Sequence, residues 1–226
     1  MGMDWYDMIA RRNGGYRGRA KYTIVGRSAE DVFEERLVEM LPRFQSVLDA
    51  GCGHGEFTMK MSRHTYKIIG FDNSAEMIRI SKSLLESSSE IRNVEFVHAT
   101  TKTAMPFQDG QFDLIYDRRG PTSILDHPRL LISGGTVIGI HTDVTAVRRR
   151  LSENGYVDIE IEEYNDAITY FPNAHEFALY LSDTPGNPNF TLPELKGELE
   201  AKIREHQIDG QLGLQEHKYI WRAMKP

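Results

Sequence analysis

The sequence predicts an α/β fold built on a mostly parallel sheet. Short apolar runs alternate with helical patterns through the middle of the chain, a glycine-rich turn follows the first of these runs, and an aspartate ends the second. Strands that alternate with helices are typical of parallel sheets. Because ligands of such sheets bind beyond the carboxyl ends of the strands, the turn and the aspartate predict a binding site at that edge.

The predicted elements follow one another along the chain. Apolar runs predict strands at residues 44–50, 67–71, 94–98, 112–116, 136–141 and 156–164, and the short aromatic segment 218–224 is the predicted last strand. Helices are predicted at 55–64, 74–87 and 143–154, and the second of them has its apolar residues at helical period. Gly155 follows the third helix at the position where glycine commonly ends one.

The glycine-rich turn is the most informative motif. Residues 47–55 read V-L-D-A-G-C-G-H-G, with Gly51, Gly53 and Gly55 at every second position. Glycine permits positive φ and close approach of a ligand, and the helix that follows offers unpaired N–H groups and the positive end of its dipole. The dinucleotide-binding pattern G-x-G-x-x-G has a longer last spacing, so this turn differs from the one that binds NAD.

An aspartate stands where a nucleoside would need it. Asp72 ends the predicted strand 67–71, about 20 residues past the glycines, where an acid can accept hydrogen bonds from two ribose hydroxyls. Ser74 is the expected N-cap of the next helix. A solvated turn residue is the alternative interpretation of Asp72 alone, but the glycine turn at this distance favours ligand binding.

These motifs resemble those of the class I S-adenosylmethionine-dependent methyltransferases, and most closely the small-molecule branch related to the quinone-biosynthesis C-methyltransferases. The glycine turn resembles motif I of that family, residues 105–113 resemble its L-P-F…F-D entry to strand four, and residues 132–136 resemble its L-x-P-G-G entry to strand five, with serine for proline. The resemblance covers about residues 36–165 and the final strand. It implies a Rossmann-like methyltransferase fold: a mostly parallel seven-stranded sheet with an antiparallel last strand and a small cap.

The resemblance also implies S-adenosylmethionine as cofactor and S-adenosylhomocysteine as product. The glycine turn would carry the amino-acid end of the cofactor, Asp72 the ribose, and Met77 the adenine. The family usually has an Asp-Ala pair after strand three, whereas this chain has no acid there, so Thr100 is the candidate for the adenine amine. The predicted cofactor-binding residues are Asp49, Gly51, Cys52, Gly53, Gly55, Asp72, Asn73, Met77, Thr100 and Tyr16.

The candidate catalytic residues follow the fourth and fifth strands: they are His141, Asp117 and Arg118. Arg118 and its neighbour Arg119 could hold an anionic substrate, or form a salt bridge to Asp117 or Asp143 that pins the loop. His141 could act as a general base, or be a hydrogen-bonded structural histidine. A base is needed only if the acceptor carries a proton to remove, because the sulfonium already makes the methyl group electrophilic.

The chain divides into four predicted segments: a basic arm or cap at 1–35, the cofactor-binding core at 36–165, a lid insertion at 166–213, and the last strand of the core at 214–226. Residues 11–27 contain six basic residues and no acid. This arm could fold over the cofactor through Tyr16, contact RNA, or be a flexible terminus. The aromatic residues of the lid could select the substrate, form a dimer contact or, by default, pack as a small core of their own.

Composition narrows the functional classes. A net charge of −6 and a pI near 5.8 disfavour nucleic acid as a partner. The single cysteine, expected to be a small unreactive residue, suits a reducing cytoplasm, and neither a metal site nor a membrane span is indicated. The sequence therefore predicts a cytoplasmic methyltransferase acting on a small molecule, with a homodimer left open. The alternatives are an RNA methyltransferase, a non-catalytic nucleotide-cofactor-binding module and an NAD-dependent oxidoreductase.

Overall fold

A computed structural model of the protein describes residues 3–226, and their side chains from residue 5 onward. The first two residues of the predicted arm lie outside this range. The helices are α1 (Met3–Asn13), α2 (Ala29–Met40), α3 (Glu56–Met61), α4 (Ala75–Glu86), α5 (Thr145–Glu153), α6 (Ala174–Ser182) and α7 (Lys196–Glu205). The strands are β1 (Thr23–Val25), β2 (Ser46–Ala50), β3 (Lys67–Asp72), β4 (Val94–His98), β5 (Phe112–Arg118), β6 (Leu131–His141), β7 (Val157–Tyr164), β8 (Ile168–Tyr170), β9 (Gln207–Ile208), β10 (Gln211–Gln215) and β11 (Lys218–Met224).

Seven strands form the large sheet, in the order β4-β3-β2-β5-β6-β11-β7. The first five pair in parallel, and β11 is antiparallel to both β6 and β7. The chain order reverses between β2 and β5, which places a topological switch point beside the glycine turn. The predicted fold class, with its seven strands and antiparallel last strand, is confirmed.

The hydrophobic core covers both faces of this sheet because successive residues of a strand point to opposite sides. Leu48 packs in the cluster that contains Val147 of α5, whereas its neighbour Val47 packs in the cluster that contains Phe33 and Leu37 of α2. Each fully buried side chain of this size contributes about 1.5–3 kcal/mol. The two clusters hold the strand ends that carry the site in fixed positions.

A separate cap stands beside the core. The strands β1, β8, β10 and β9 form an antiparallel four-stranded sheet in that order. With α6 and α7 this sheet encloses a small core around Phe171, Phe177 and Phe190, as expected by default for the lid aromatics. The cap differs from the predicted segments in two ways: β1 of the predicted arm pairs with β8 of the lid, and β10 crosses the boundary drawn at residues 213 and 214.

Helix α1 is a second difference from the sequence-based expectation. No element was assigned to the basic arm, and in the structure it opens with a helix that buries Ile9 and Ala10 and packs on α4. The described residues of this helix are thus packed on the core. Residues 14–22 then lead from this helix to β1 in the cap.

Candidate active site

A cavity of about 220 Å³ lies at the carboxyl ends of β2, β3 and β5. It collects nine of the ten residues predicted to contact a cofactor: Tyr16, Asp49, Gly51, Cys52, Gly53, Asp72, Asn73, Met77 and Thr100. These nine residues are spread over 85 positions of the sequence and line the same cavity. Their role as cofactor contacts stays a prediction. Cys52 is a buried free cysteine, and burial raises the pKa of its thiol, in line with an unreactive residue.

The glycine turn is shaped by close packing. Gly51 has φ +83°, and a Cβ there would lie 2.8 Å from both Gly120 Cα and Pro121 Cδ. Gly55 also has positive φ, but it does not line the cavity: its Cβ would lie 2.5 Å from the ring of Phe96. Close packing of the turn onto β4 thus already requires glycine at position 55, and a contact of Gly55 with the cofactor stays a prediction.

Asp72 faces the cavity from the end of β3. Its Oδ2 accepts a hydrogen bond from the N–H of Gly53 at 3.0 Å, and its Oδ1 accepts one from the N–H of Ser74 at 2.8 Å. Burial raises the pKa of this carboxyl, and the backbone donors oppose that rise. A carboxylate has about four acceptor positions, so Asp72 can hold the turn and still accept hydrogen bonds from ligand hydroxyls.

Asp49 is the second acid of the wall. Its Oδ2 accepts hydrogen bonds from Thr58 Oγ1 at 2.6 Å and from Tyr116 Oη at 2.7 Å. Burial nevertheless raises the pKa of Asp49 to about 7. The cavity thus contains two carboxyls on its β2–β3 side whose charges are costly without a cationic ligand.

Helix α1 adds Tyr6 to the cavity wall, an aromatic residue that the sequence analysis missed. Tyr6 lines the wall together with Tyr16, with 6.1 Å between the ring centroids, and Trp5 packs edge-on against Tyr6 at 5.1 Å. Asp7 accepts a hydrogen bond from the hydroxyl of Ser74, the N-cap residue of α4. In the sequence, the helix could have been recognised from the triplet W-Y-D at residues 5–7, which is followed by the apolar residues Ile9 and Ala10.

Two sets of contacts fasten the arm. The N–H of Tyr16 donates to His54 Nδ1 at 3.2 Å, while Arg17 forms a salt bridge with Glu56, so the arm is tied to the glycine turn. Asp183 of the cap accepts hydrogen bonds from Arg19, at 2.9 Å to Nη2, and from Arg12. Several basic residues of the arm thus form ion pairs with carboxylates of the protein itself, which the composition alone did not show.

His141 and Asp117 lie behind the cavity wall rather than in it. Trp221 Nε1 donates to His141 Nδ1 at 3.1 Å; because an indole can only donate, the proton of a neutral His141 must be on Nε2. That nitrogen lies 3.2 Å from the carbonyl oxygen of Gly120 and 3.4 Å from Asp117 Oδ2. Both ring nitrogens are engaged, as the structural alternative expects, and the general-base role of His141 stays a prediction.

Asp117 has a positioning contact as well, and its catalytic role stays a prediction. It is fully buried, and burial raises its pKa to about 6, with His141 and the N–H of Gly120 opposing the rise. Its Oδ1 accepts from Gly120 N at 2.5 Å. Asp117 and His141 together therefore fix both backbone polar groups of Gly120.

Arg118 does line the cavity, beside Arg119. Its guanidinium carbon lies 4.3 Å from the centroid of the Phe57 ring, and its Nε lies 2.9 Å from Glu30. Arg119 Nε lies 3.1 Å from the same carboxylate. The salt-bridge partner of both arginines is thus Glu30 in the first turn of α2, not Asp117 or Asp143 as the sequence-based alternative held.

Comparisons with known proteins agree with this geometry. Residues 47–132 match the family model described as a methyltransferase domain. This stretch of the chain is similar to a methyltransferase domain. Among curated proteins it is 33% identical over 107 residues to the demethylmenaquinone methyltransferase of Lactococcus lactis, which is 43% of this chain and 42% of that one. It is 35% identical over 94 residues to the ubiquinone/menaquinone biosynthesis C-methyltransferase UbiE of Escherichia coli, 40% of this chain and 37% of that one.

The chain matches only about two fifths of the length of these curated relatives. The matches therefore describe the matched residues and not the whole protein. In overall fold, the chain is similar to a functionally unknown protein of Deinococcus radiodurans, with a TM-score of 0.70 at 22% identity over 99% of this chain and 100% of that one. The predicted resemblance to class I S-adenosylmethionine-dependent methyltransferases of the quinone-biosynthesis type is confirmed. Within residues 3–226, no helix is long and apolar enough to span a membrane.

Proposed function

We propose that the protein transfers the methyl group of S-adenosylmethionine to a small-molecule acceptor. One observation carries the proposal: the glycine turn, the Asp72 carboxylate and the rings of Tyr6 and Tyr16 meet in a single cavity at the switch point of the sheet. Each of these features suits a different part of that cofactor. The match to a methyltransferase domain covers the glycine turn and Asp72.

The residues of the cavity fit the cofactor. Gly51 and Gly53 leave the turn without side chains, Asp72 offers carboxylate oxygens to the ribose, and the rings of Tyr6 and Tyr16 can face a sulfonium through their π electrons. The bound cofactor supplies an electrophilic methyl group. The chain then has to orient the acceptor in line with it and exclude water, a task suited to the closed arm.

A small acceptor is favoured over a macromolecule. With the arm in place, the cavity has about 220 Å³ of internal space between α1 and the glycine turn. The family match covers residues 47–132 and includes no strand or helix of the cap, so the quinone acceptors named for the curated relatives are not carried over to this chain. The acceptor therefore has to be found by experiment.

Isothermal titration calorimetry tests the cofactor. We expect S-adenosylhomocysteine to bind in the micromolar range, about −8 kcal/mol, and NAD not to bind. Incubation with a small-molecule extract and trideuteromethyl-labelled S-adenosylmethionine, followed by mass spectrometry, should then reveal the methylated acceptor. Tight NAD binding without a response to either adenosyl compound would favour the oxidoreductase, whereas cofactor binding without any transfer would favour a non-catalytic module.

We further propose a cytoplasmic location, since the one cysteine of the chain is buried and unpaired and suits a reducing compartment. We propose separately that the protein can form a homodimer. Light scattering after size exclusion, at micromolar protein concentration, distinguishes a mass near 25.9 kDa from twice that value.

A further inference from the structure

We infer that Arg119 binds a carboxylate or phosphate group of the methyl acceptor, and that Glu30 neutralises this arginine while the acceptor is absent. The inference rests on the proposed function, because it assigns the acceptor part of the same cavity. It would make Arg119 the residue that restricts the enzyme to anionic acceptors.

The backbone of Arg119 is strained. Its φ is +62°, in the left-handed region that side chains other than glycine, asparagine and aspartate rarely adopt. A glycine at this position would carry no such strain. Non-glycine residues in this conformation persist where the surroundings over-determine them, which is common at ligand sites. The arginine is therefore unfavourable for the turn itself and needs another reason to be there.

The surroundings do over-determine this turn. The N–H of Arg119 donates to the carbonyl oxygen of Ile140 at 3.2 Å. The next residue, Gly120, has its N–H held by Asp117 and its carbonyl oxygen held by His141. A Cβ on Gly120 would overlap the carbonyl oxygen of Ala50. The buried Asp117–His141–Trp221 group thus fixes the backbone of Gly120, and with it the position of Arg119 at the cavity wall.

The charges around Glu30 leave one cation available. Arg118, Arg119 and Lys218 all lie within 3.2 Å of this carboxylate, and Lys218 also lies 2.9 Å from Glu216. Three cations therefore share two carboxylates. Arg119 is the most exposed of the three, at 44% against 28% for Arg118 and 19% for Lys218.

The other two cations are held more firmly. Arg118 is stacked on Phe57. Lys218, the first residue of β11, lies between the carboxylates of Glu30 and Glu216. Arg119 can leave Glu30 at the smallest cost, because Arg118 and Lys218 would still neutralise it. Its planar guanidinium matches the two oxygens of a carboxylate or phosphate. The other charged side chains of the wall include the acids Asp49, Glu56 and Asp72, so an anionic group of the acceptor is favoured at the arginines rather than elsewhere in the cavity.

Titrations with charged and neutral probes test the inference. The full chain is saturated with S-adenosylhomocysteine and titrated with benzoate, phenyl phosphate and the neutral benzamide, whose flat rings suit the aromatic lining. We expect at least one anion to bind, and benzamide to bind at least tenfold more weakly. Arg119→Gln should weaken that anion at least tenfold, whereas Arg148→Gln, an exposed arginine of α5 outside the cavity wall, should leave it unchanged.

A second variant separates binding from folding. Arg119→Gly removes the strained side chain, so we expect it to melt at the same or a higher temperature and to lose the anion as Arg119→Gln does. In both variants the affinity for S-adenosylhomocysteine should stay within about twofold of the original.

Four results would overturn the inference: neither anion binds the original protein, benzamide binds as well as the anions, both Arg119 variants keep the anion, or the variants lose S-adenosylhomocysteine tenfold. The last result would assign Arg119 to the carboxylate of the cofactor. If the original protein does not bind S-adenosylhomocysteine, the proposed function fails instead. The same anion titrations without the cofactor product then still decide the role of Arg119.

Discussion

Asp72 has two tasks at once, since it holds the backbone of the glycine turn and faces the cavity. Asp72→Ala should weaken S-adenosylhomocysteine binding at least tenfold in calorimetry, because charge-assisted hydrogen bonds to hydroxyls are lost. The unliganded protein should also melt several degrees lower, since two backbone donors lose their acceptor, at about 1–3 kcal/mol. Asp109→Asn, an exposed carboxyl before β5, is the control and should change neither quantity. An unaltered affinity in Asp72→Ala would place the ribose elsewhere.

Asp49 makes stability depend on pH. Because burial raises its pKa to about 7, the folded chain keeps a proton that the unfolded chain releases near pH 4. The stability this proton contributes is complete below about pH 4 and is lost as the pH rises to about 7. Asp49→Asn can still accept from Thr58 and Tyr116 but carries no charge.

Denaturant unfolding of the two proteins at several pH values measures this effect. Between pH 4 and pH 8, the difference in unfolding free energy should move in favour of Asp49→Asn by roughly 2–4 kcal/mol. Parallel curves for the variant and the original protein would mean that Asp49 ionises in the folded chain as it does in solution.

The sequence was most informative about residues whose signal is local. Gly51, Gly53 and Asp72 belong to short motifs at the ends of apolar runs, and the structure brings them to one cavity. The environment of His141 could not be predicted for the opposite reason: its partner Trp221 lies 80 positions away, so nothing near His141 in the sequence shows that its Nδ1 is already engaged.

At the scale of elements, the same distinction separates the core from the cap. The long strands of the core bury continuous apolar runs, which a sequence shows directly. The cap strands have two to five residues each, and β1 pairs with β8 about 145 positions away. Such short strands have no pattern of their own, because their pairing depends on neighbours from distant parts of the chain.

The arm is held by the cap, and Asp183 is the contact that joins them. Its carboxylate accepts from Arg12 and Arg19, and its side chain is only 10% exposed. Asp183→Asn should loosen the arm, so we expect faster trypsin cleavage after Arg17 or Arg19 and weaker S-adenosylhomocysteine binding. Glu153→Gln, which removes an exposed i,i+4 salt bridge on α5, is the matched control. Equal cleavage rates in all three proteins would show that the arm closes without Asp183.

At the scale of the whole molecule, charge distribution decides between a small acceptor and RNA. The net charge is −6, and four of the six basic residues in segment 11–27 form salt bridges with carboxylates of the protein. A phosphate backbone would have to displace these carboxylates before it could bind the arm. The basic segment that kept an RNA methyltransferase in consideration is therefore largely neutralised within the fold.

RNA binding should accordingly be weak. Affinity built on phosphate contacts falls by roughly one power of the salt concentration for each phosphate neutralised, and a mostly neutralised arm can make few such contacts. In fluorescence anisotropy with a labelled RNA hairpin at physiological salt, we expect a Kd above about 10 μM. Deletion of residues 1–19 should weaken S-adenosylhomocysteine binding at least tenfold, because Tyr6 and Tyr16 leave the cavity, and should hardly change RNA binding. Submicromolar, salt-sensitive RNA binding that this deletion abolishes, with cofactor affinity intact, would instead identify the arm as a nucleic-acid contact and the protein as an RNA methyltransferase.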